Sequence, residues 1–208
     1  MASAEPNSAA TPQPAATPSP TASIADPGAL GLAAFAMTTF VLSTFNTGLL
    51  SDTLETVVLP LALFYGGLAQ LLAGMWEFRR ANTFAATAFS SYGAFWLAFA
   101  YYISHVAPKL PPAHAYQATG LFLLAWAIFT TYMIIPAMRT SGAVLAVIAL
   151  LALTFILLTI GAFAQSTGID KVGGWAGYVT AAVAWYASCA TVANSTWAKT
   201  VLPVWPLA

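Results

Sequence analysis

The sequence predicts an all-α integral membrane protein with six transmembrane helices, and three observations carry this prediction. Of the 208 residues, 60% are hydrophobic and 6% are charged, whereas about a quarter of the residues of a soluble domain are charged. Six segments reach the roughly 20 mostly apolar residues that a membrane-spanning helix requires. Short breaks with turn-forming or charged residues separate these segments. So few charged side chains would not cover a soluble surface, which excludes a soluble globular class.

The chain divides into a tail, a membrane domain and a short end. Residues 1–25 are rich in Pro, Ala, Ser and Thr, which predicts a disordered tail. This tail has neither the basic segment nor the apolar segment of a signal peptide. Residues 26–203 are the predicted six-helix transmembrane domain, and residues 204–208 are a short C-terminal tail.

The predicted spans are separated by short polar connections. They cover residues 30–50, 57–77, 83–104, 116–138, 142–164 and 174–197. The connection before the last span reads "QSTGIDKVGG" (165–174). Its glycines and charged residues predict a loop.

The basic residues predict how the chain is oriented in the membrane. Four of them follow even-numbered spans and therefore lie on the side that holds both termini. These four are Arg79, Arg80, Arg139 and Lys199. The opposite side carries two lysines and three acidic residues, Asp52, Glu55 and Asp170. Because basic residues favour the cytoplasmic side, we expect a multi-pass protein of the cell membrane with both termini in the cytoplasm.

Neutral polar side chains are the candidate functional groups within the spans. No Asp, Glu, Lys or Arg lies deep in any span. Hydroxyl and amide groups could bind a small solute weakly enough to release it, as conduction requires. Helical spacing groups several of them on shared faces. The candidates are Thr39, Ser43, Asn46, Gln70, Thr87 and Ser91.

Helix packing is the alternative explanation for these side chains. Small residues at four-residue spacing let helices approach closely, and Ser or Thr often bond a carbonyl of their own helix. Packing is the favoured interpretation for the stripe of small residues in the last span, which consists of Gly177, Ala181, Ala184, Ser188, Thr191 and Ser195. For the hydroxyls of the earlier spans both interpretations stay open. Gln70 favours a wet path, because a buried amide must satisfy several hydrogen bonds.

Enzymatic chemistry has no candidate residues in this sequence. No catalytic Ser, His and Asp set, metal-ligand cluster or phosphate-binding loop is present, so we expect no enzyme, no metal and no cofactor. The formal net charge is zero, which gives no field for binding nucleic acid. The lipid bilayer is the predicted environment.

Three sequence segments resemble the acetate uptake transporter family, which contains bacterial succinate–acetate permeases and fungal acetate and ammonia permeases. They are "DPGALGLAAFAMTTFVLSTFNTG" (26–48), "FYGGLAQLLAGMWEFRRANTFAATAFSSYGAFWL" (64–97) and "KTVLP" (199–203). The family's hallmark at the start of the first helix is Asn-Pro-x-Pro-Leu-Gly-Leu. In this chain Asp26 replaces the Asn, and Ala29 stands at the second Pro.

The resemblance implies six helices around a pore in each protomer and assembly as a homohexamer. It implies uptake of acetate, and of succinate or other short carboxylates, by proton symport or by channel-like anion permeation. The hydrophobic and aromatic constriction of the family maps to Phe35, Tyr92 and Leu151. Gln70 and Glu77 match residues that the family retains, and Glu77 is the candidate for coupling. Family members often carry an acidic residue late in the sixth helix, where this chain has Thr191 and Ser195.

Two other functions compete with carboxylate transport. A channel for ammonia, urea or another small neutral solute would suit spans that hold no charge. A membrane scaffold or sensor with a collapsed pore would transport nothing. Competition by acetate distinguishes the first alternative, and lack of flux for every solute would favour the second.

Overall fold

Six helices form a closed ring in the computed structural model, which describes residues 24–207. They are α1 (Gly28–Asn46), α2 (Asp52–Arg79), α3 (Thr83–Tyr101), α4 (Ala115–Ala137), α5 (Gly142–Ala164) and α6 (Thr167–Thr196). Each helix packs against the next one in the sequence, and α6 packs against α1. The six predicted helices are therefore confirmed. The predicted disordered tail, 1–25, lies outside the described residues except for its last two.

The outer face of the ring is apolar. Within residues 24–207, five helices are long and apolar enough to cross a membrane, the exception being α3. Hydroxyl groups lower the hydropathy of α3, which nevertheless lies in the same ring between α2 and α4. Large apolar side chains are exposed on the outside. Examples are Phe64, Leu72, Leu121, Ile128, Ile135 and Ile160. This surface is suited to hydrocarbon rather than to water.

The loop predicted at residues 165–174 is wrong, because α6 begins at Thr167. The side chain of Ser166 accepts a hydrogen bond from the backbone N–H of Ile169 (3.4 Å), which caps the helix. Asp170 lies in the first turn, where a negative charge interacts favourably with the helix dipole. Capping and the dipole thus outweigh the loop signal of the glycines.

Three other helices also differ from their predicted bounds. α3 ends at Tyr101 rather than at residue 104, and a π-helical segment over Tyr102–Val106 continues it. α1 ends at Asn46 rather than at residue 50, and Gly48 has a positive φ of 75° in the turn that follows. α2 begins at Asp52, five residues before the predicted span, with a 3₁₀ turn over Asp52–Val57. The segment Leu61–Ala69 within α2 is π-helical. A π-helix has more residues per turn than an α-helix, so the faces of α2 shift along its length.

Small residues allow the closest helix contacts. A Cβ atom added to Gly93 of α3 would lie 2.6 Å from the backbone nitrogen of Leu71 in α2. In the α1–α6 contact, the Ser188 hydroxyl donates a hydrogen bond to the Ala29 carbonyl (2.7 Å). Ala181 of the same α6 stripe is fully buried. These contacts support the packing interpretation for Ala181 and Ser188, whereas Thr191 is half-buried and Ser195, the last residue of the stripe, is exposed.

Aromatic side chains fill the contact between α3 and α4, whose backbones approach least closely in the ring. Phe95 and Phe122 stack with ring centroids 5.9 Å apart, and Tyr102 stacks on Phe122 at 5.3 Å. The Tyr102 and Thr119 hydroxyls form a hydrogen bond of 2.7 Å. Large rings therefore hold these two helices apart while joining them.

The C-terminal segment folds back over the start of α5. The N–H groups of Gly142 and Ala143 donate to the carbonyls of Trp205 (2.7 Å) and Val204 (3.2 Å). These bonds satisfy donors that a helix start otherwise leaves without partners. The side chain of Asn194 in α6 accepts from the N–H of Val201 (2.7 Å) and so ties down this segment.

We predict that Gly93→Ala destabilises the protein by about 1–3 kcal/mol, the cost of overpacking a tight core. The neighbouring atoms belong to the backbone of α2 and have little freedom to move. Gly168→Ala is the matched control, because the nearest atom to its added Cβ, the Ser166 hydroxyl oxygen, is 3.8 Å away. Thermal unfolding in detergent measures both variants. Equal melting temperatures for the two would contradict this account of the α2–α3 contact.

Candidate transport path

Two cavities lie within the ring of helices. The large cavity has a volume of about 570 Å³ and reaches Asp52 and Lys171, at the end of the bundle where α1 ends and α6 begins. The small cavity has a volume of about 210 Å³ and reaches Asp26 and Arg80, at the end where α1 begins and α2 ends. Together they extend between opposite ends of the ring.

The two cavities meet at Phe35, Tyr92 and Leu151, which we call the junction. These three side chains, from α1, α3 and α5, are the ones that line both cavities. All three are buried, and the rings of Phe35 and Tyr92 lie 6.2 Å apart. The resemblance assigns the constriction to the same three residues, and the structure brings them together. That they restrict a solute is a functional prediction.

Tyr92 is held in the junction from the side of α4. Its hydroxyl donates a hydrogen bond of 3.1 Å to Oγ1 of Thr130, which is fully buried. Its ring meets the edge of Phe129 at 5.4 Å and lies 6.4 Å from Trp126. Sequence reasoning missed Thr130, because this hydrogen bond joins residues 38 positions apart.

Hydroxyl and amide groups of α1 line the large cavity. Thr39, Ser43 and Asn46, which the sequence placed on one face, all lie in this lining. Thr39 is buried, and its hydroxyl oxygen has no hydrogen-bond partner among the described residues. Thr154 of α5 also lines the cavity, and its hydroxyl donates to the Leu150 carbonyl (2.8 Å). The Thr39 hydroxyl therefore has an unused hydrogen-bonding capacity beside this cavity.

Gln70 and Glu77 line the small cavity, and both side chains are 1% exposed. The Gln70 carbonyl oxygen has no hydrogen-bond partner among the described residues. Glu77 lies near the end of α2, with Oε2 3.5 Å from the guanidinium of Arg80. The small cavity thus offers an amide in its lining and charged groups at its end.

Thr87 and Ser91 do not belong to either cavity lining. Both are half-buried on α3, whereas the adjacent Tyr92 reaches the junction. Of the two α6 residues at the family's acidic position, Thr191 lines the small cavity and Ser195 is exposed. The structure therefore gathers four of the six neutral candidates along the cavities. Within residues 24–207, no three His, Cys, Asp or Glu side chains are grouped as a metal site.

We predict that Thr130→Val destabilises the protein by about 1–3 kcal/mol, because it leaves the buried Tyr92 hydroxyl without its acceptor. Thr131→Val is the matched control on the next residue of α4. The Thr131 hydroxyl bonds the carbonyl of Ala127 in its own helix (2.7 Å), so this change should be nearly neutral. Thermal unfolding in detergent compares the two variants. A smaller loss for Thr130→Val than for Thr131→Val would refute the proposed support of Tyr92.

Comparison with known proteins identifies related membrane transport proteins. The sequence profile of the GPR1/FUN34/yaaH family matches residues 8–208. Acetate permease A of Emericella nidulans is 42% identical over 195 residues, which cover 86% of this chain and 65% of the relative. Ammonia transport outward protein 2 of Saccharomyces cerevisiae is 43% identical over 175 residues, which cover 82% of this chain and 62% of the relative. The match therefore spans less than two thirds of these fungal proteins.

A bacterial relative matches over nearly its whole length. The succinate-acetate/proton symporter SatP of Escherichia coli K12 is 36% identical over 181 residues, which cover 87% of this chain and 95% of SatP. A solved structure of the bacterial acetate channel SatP superposes with a TM-score of 0.82 at 36% identity. That superposition covers 88% of this chain and 99% of the SatP chain.

Proposed function

The chain belongs to the GPR1/FUN34/yaaH family and is a multi-pass membrane protein, and on this premise we propose that it transports acetate across the membrane. Succinate and other short carboxylates are the related substrates. The observation that carries the proposal is the pair of cavities that meet at the junction. The names of acetate permease A and SatP support the choice of substrate.

The polar cavity linings suit a small anion. A carboxylate titrates near pH 4 to 5 and is therefore charged at neutral pH. Complete dehydration of the charged group would be very costly. Hydrogen bonds from Thr39 and Ser43 on one side of the junction, and from the Gln70 amide on the other, would replace part of its water. Such neutral groups bind weakly enough to let the solute continue.

The junction would act on the size of the solute and on its apolar part. Phe35, Tyr92 and Leu151 present two rings and a branched side chain to both cavities. These groups tolerate the methyl group of acetate, whereas a larger or more hydrated solute would have to displace them. In this proposal the cavities provide hydrogen bonds and the junction provides selectivity.

The proposal extends to orientation, assembly and driving force. Arg80 lies at the end of the bundle where α1 begins, and the positive-inside rule supports a cytoplasmic location for this end. Family resemblance supports a homohexamer with one path in each protomer. SatP is named both a proton symporter and a channel. For proton symport in this chain, Glu77 would be the coupling residue, as the buried carboxylate of the small cavity.

Ammonia is the second candidate solute. The relative named ammonia transport outward protein 2 supports it, and the junction residues carry no formal charge. A neutral solute would need little help to lose its water. Excess unlabelled acetate should inhibit labelled-acetate uptake, but it should leave an ammonia path unaffected.

We predict that purified protein in liposomes takes up labelled acetate, and that Tyr92→Ala reduces the selectivity for acetate over benzoate by about tenfold, or ~1.4 kcal/mol. The smaller side chain widens the junction, so the larger carboxylate gains most. Gln70→Ala should lower acetate flux, because it removes an amide from the small cavity. Initial rates of uptake for both solutes measure these changes.

Thr87→Val is the control for these variants, since Thr87 lies on α3 outside both cavity linings. It should transport like the unmodified protein. Acetate uptake no greater than in empty liposomes would refute the proposed function and favour a scaffold or sensor. Unchanged selectivity in Tyr92→Ala would refute the role of the junction.

A further inference from the structure

At the end of the small cavity, the carboxylate of Asp26 is bound by two groups that could hold an anion. Its Oδ1 atom accepts a hydrogen bond of 2.8 Å from the backbone N–H of Gly28, at the start of α1. The same oxygen lies 2.8 Å from Nη1 of Arg80. A helix start and a guanidinium both favour a carboxylate, so one side chain satisfies the two groups at once.

The surroundings of this contact form a site rather than a surface ion pair alone. Arg80 is the only cationic side chain among the described residues that line the small cavity. Oε2 of the buried Glu77 lies on the same guanidinium and has no hydrogen-bond partner in the described structure. A Cβ atom added to Gly28 would lie 2.9 Å from Asp26 Oδ1 and 3.4 Å from Glu77 Oε1. Glycine therefore keeps the space between the two carboxylates open.

We propose that Arg80 and the Gly28 N–H form a carboxylate-binding site, which Asp26 fills until a substrate carboxylate displaces it. The side chain of aspartate is a methylene and a carboxylate, so it is chemically a tethered acetate. Its position on Arg80 shows where a free carboxylate would bind. This inference rests on the proposed function, in which such anions pass through the small cavity.

The exchange of one carboxylate for another requires little energy. The side chains of Arg80 and Asp26 are 32% and 42% exposed, and a solvent-exposed ion pair contributes little to stability. Glu77 remains beside Arg80 during the exchange and repels the incoming anion. The site therefore binds a substrate weakly and releases it readily, as a transport path requires.

The test compares the effect of sodium acetate on the melting temperature of the unmodified protein and of Asp26→Ala in detergent. Removal of the tethered carboxylate empties the site, so acetate should raise the melting temperature of Asp26→Ala roughly twofold more than that of the unmodified protein. Acetamide, which has the shape of acetate but no charge, should raise neither. Asp26→Asn frees Arg80 from its ion pair but keeps an acceptor for the Gly28 N–H, so its response to acetate should lie between those of the unmodified protein and Asp26→Ala.

Two further variants assign the effect to this site. Thr87→Val changes a side chain outside both cavity linings and should respond to acetate like the unmodified protein. Asp26→Ala combined with Arg80→Gln should lose the enhanced response, because the guanidinium is gone. Equal responses of Asp26→Ala, Asp26→Asn and the unmodified protein would overturn the proposal, as would an enhanced response that persists without Arg80.

Uptake of labelled acetate by the unmodified protein separates this inference from the proposed function. Uptake with equal acetate responses in the melting experiment would refute the Asp26 site and leave transport standing. An enhanced response of Asp26→Ala without any uptake would support the site and refute transport. In a transporting protein, Asp26→Asn should lower the KM for acetate by about threefold, or ~0.65 kcal/mol.

Discussion

The contact between α1 and α6 is the constraint on which the other features of this fold depend. The other contacts that build the ring join neighbours in the sequence, but this one joins the first helix to the last and closes the ring. It requires small residues on α6. A Cβ atom added to Gly174 would lie 2.6 Å from the backbone carbon of Asn46. Because the ring is closed, side chains from α1, α3 and α5 converge on one axis.

The distance between neighbouring helices differs around the ring, and this difference determines where the interior is wide. Glycine and alanine bring α2 close to α3 and α6 close to α1, whereas rings hold α3 and α4 apart. Tyr92 and Phe95 therefore face a wide interior, in which the large cavity lies. The hydrogen bond to Thr130 then holds Tyr92 at the end of that space where the two cavities meet. A ring with six equally tight contacts would leave less room.

Helix number and position were predictable from the sequence, because apolar length and turn residues are local signals. The start of α6 was not, since the Ser166 cap and the first-turn Asp170 outweighed glycines that usually mark a loop. Spacing grouped Thr39, Ser43 and Asn46 on one face, and all three line the large cavity. It left Thr87 and Ser91 open between path and packing, and in the structure both lie outside the two cavity linings. Periodicity shows which residues share a face, yet not which face points inward.

The π-helical segment of α2 also limits what periodicity can predict, because it changes the number of residues per turn. Gly66, Gln70 and Gly74 are spaced as one face of a regular α-helix. In the structure Gly66 contacts Thr38 and Trp96, Gly74 contacts Ser90, and Gln70 lines the small cavity. Family resemblance supplied the three junction residues, which neither composition nor spacing had distinguished from ordinary core.

The apolar character of the junction also has a consequence for the proton gradient across a membrane. A narrow passage between rings and a branched side chain excludes water readily. Protons cross membranes rapidly along continuous files of hydrogen-bonded water, and a dry interval at Phe35, Tyr92 and Leu151 would break such a file. A cell could then hold many copies of this protein without an uncoupled leak of protons. Such a leak would dissipate the proton gradient that drives ATP synthesis.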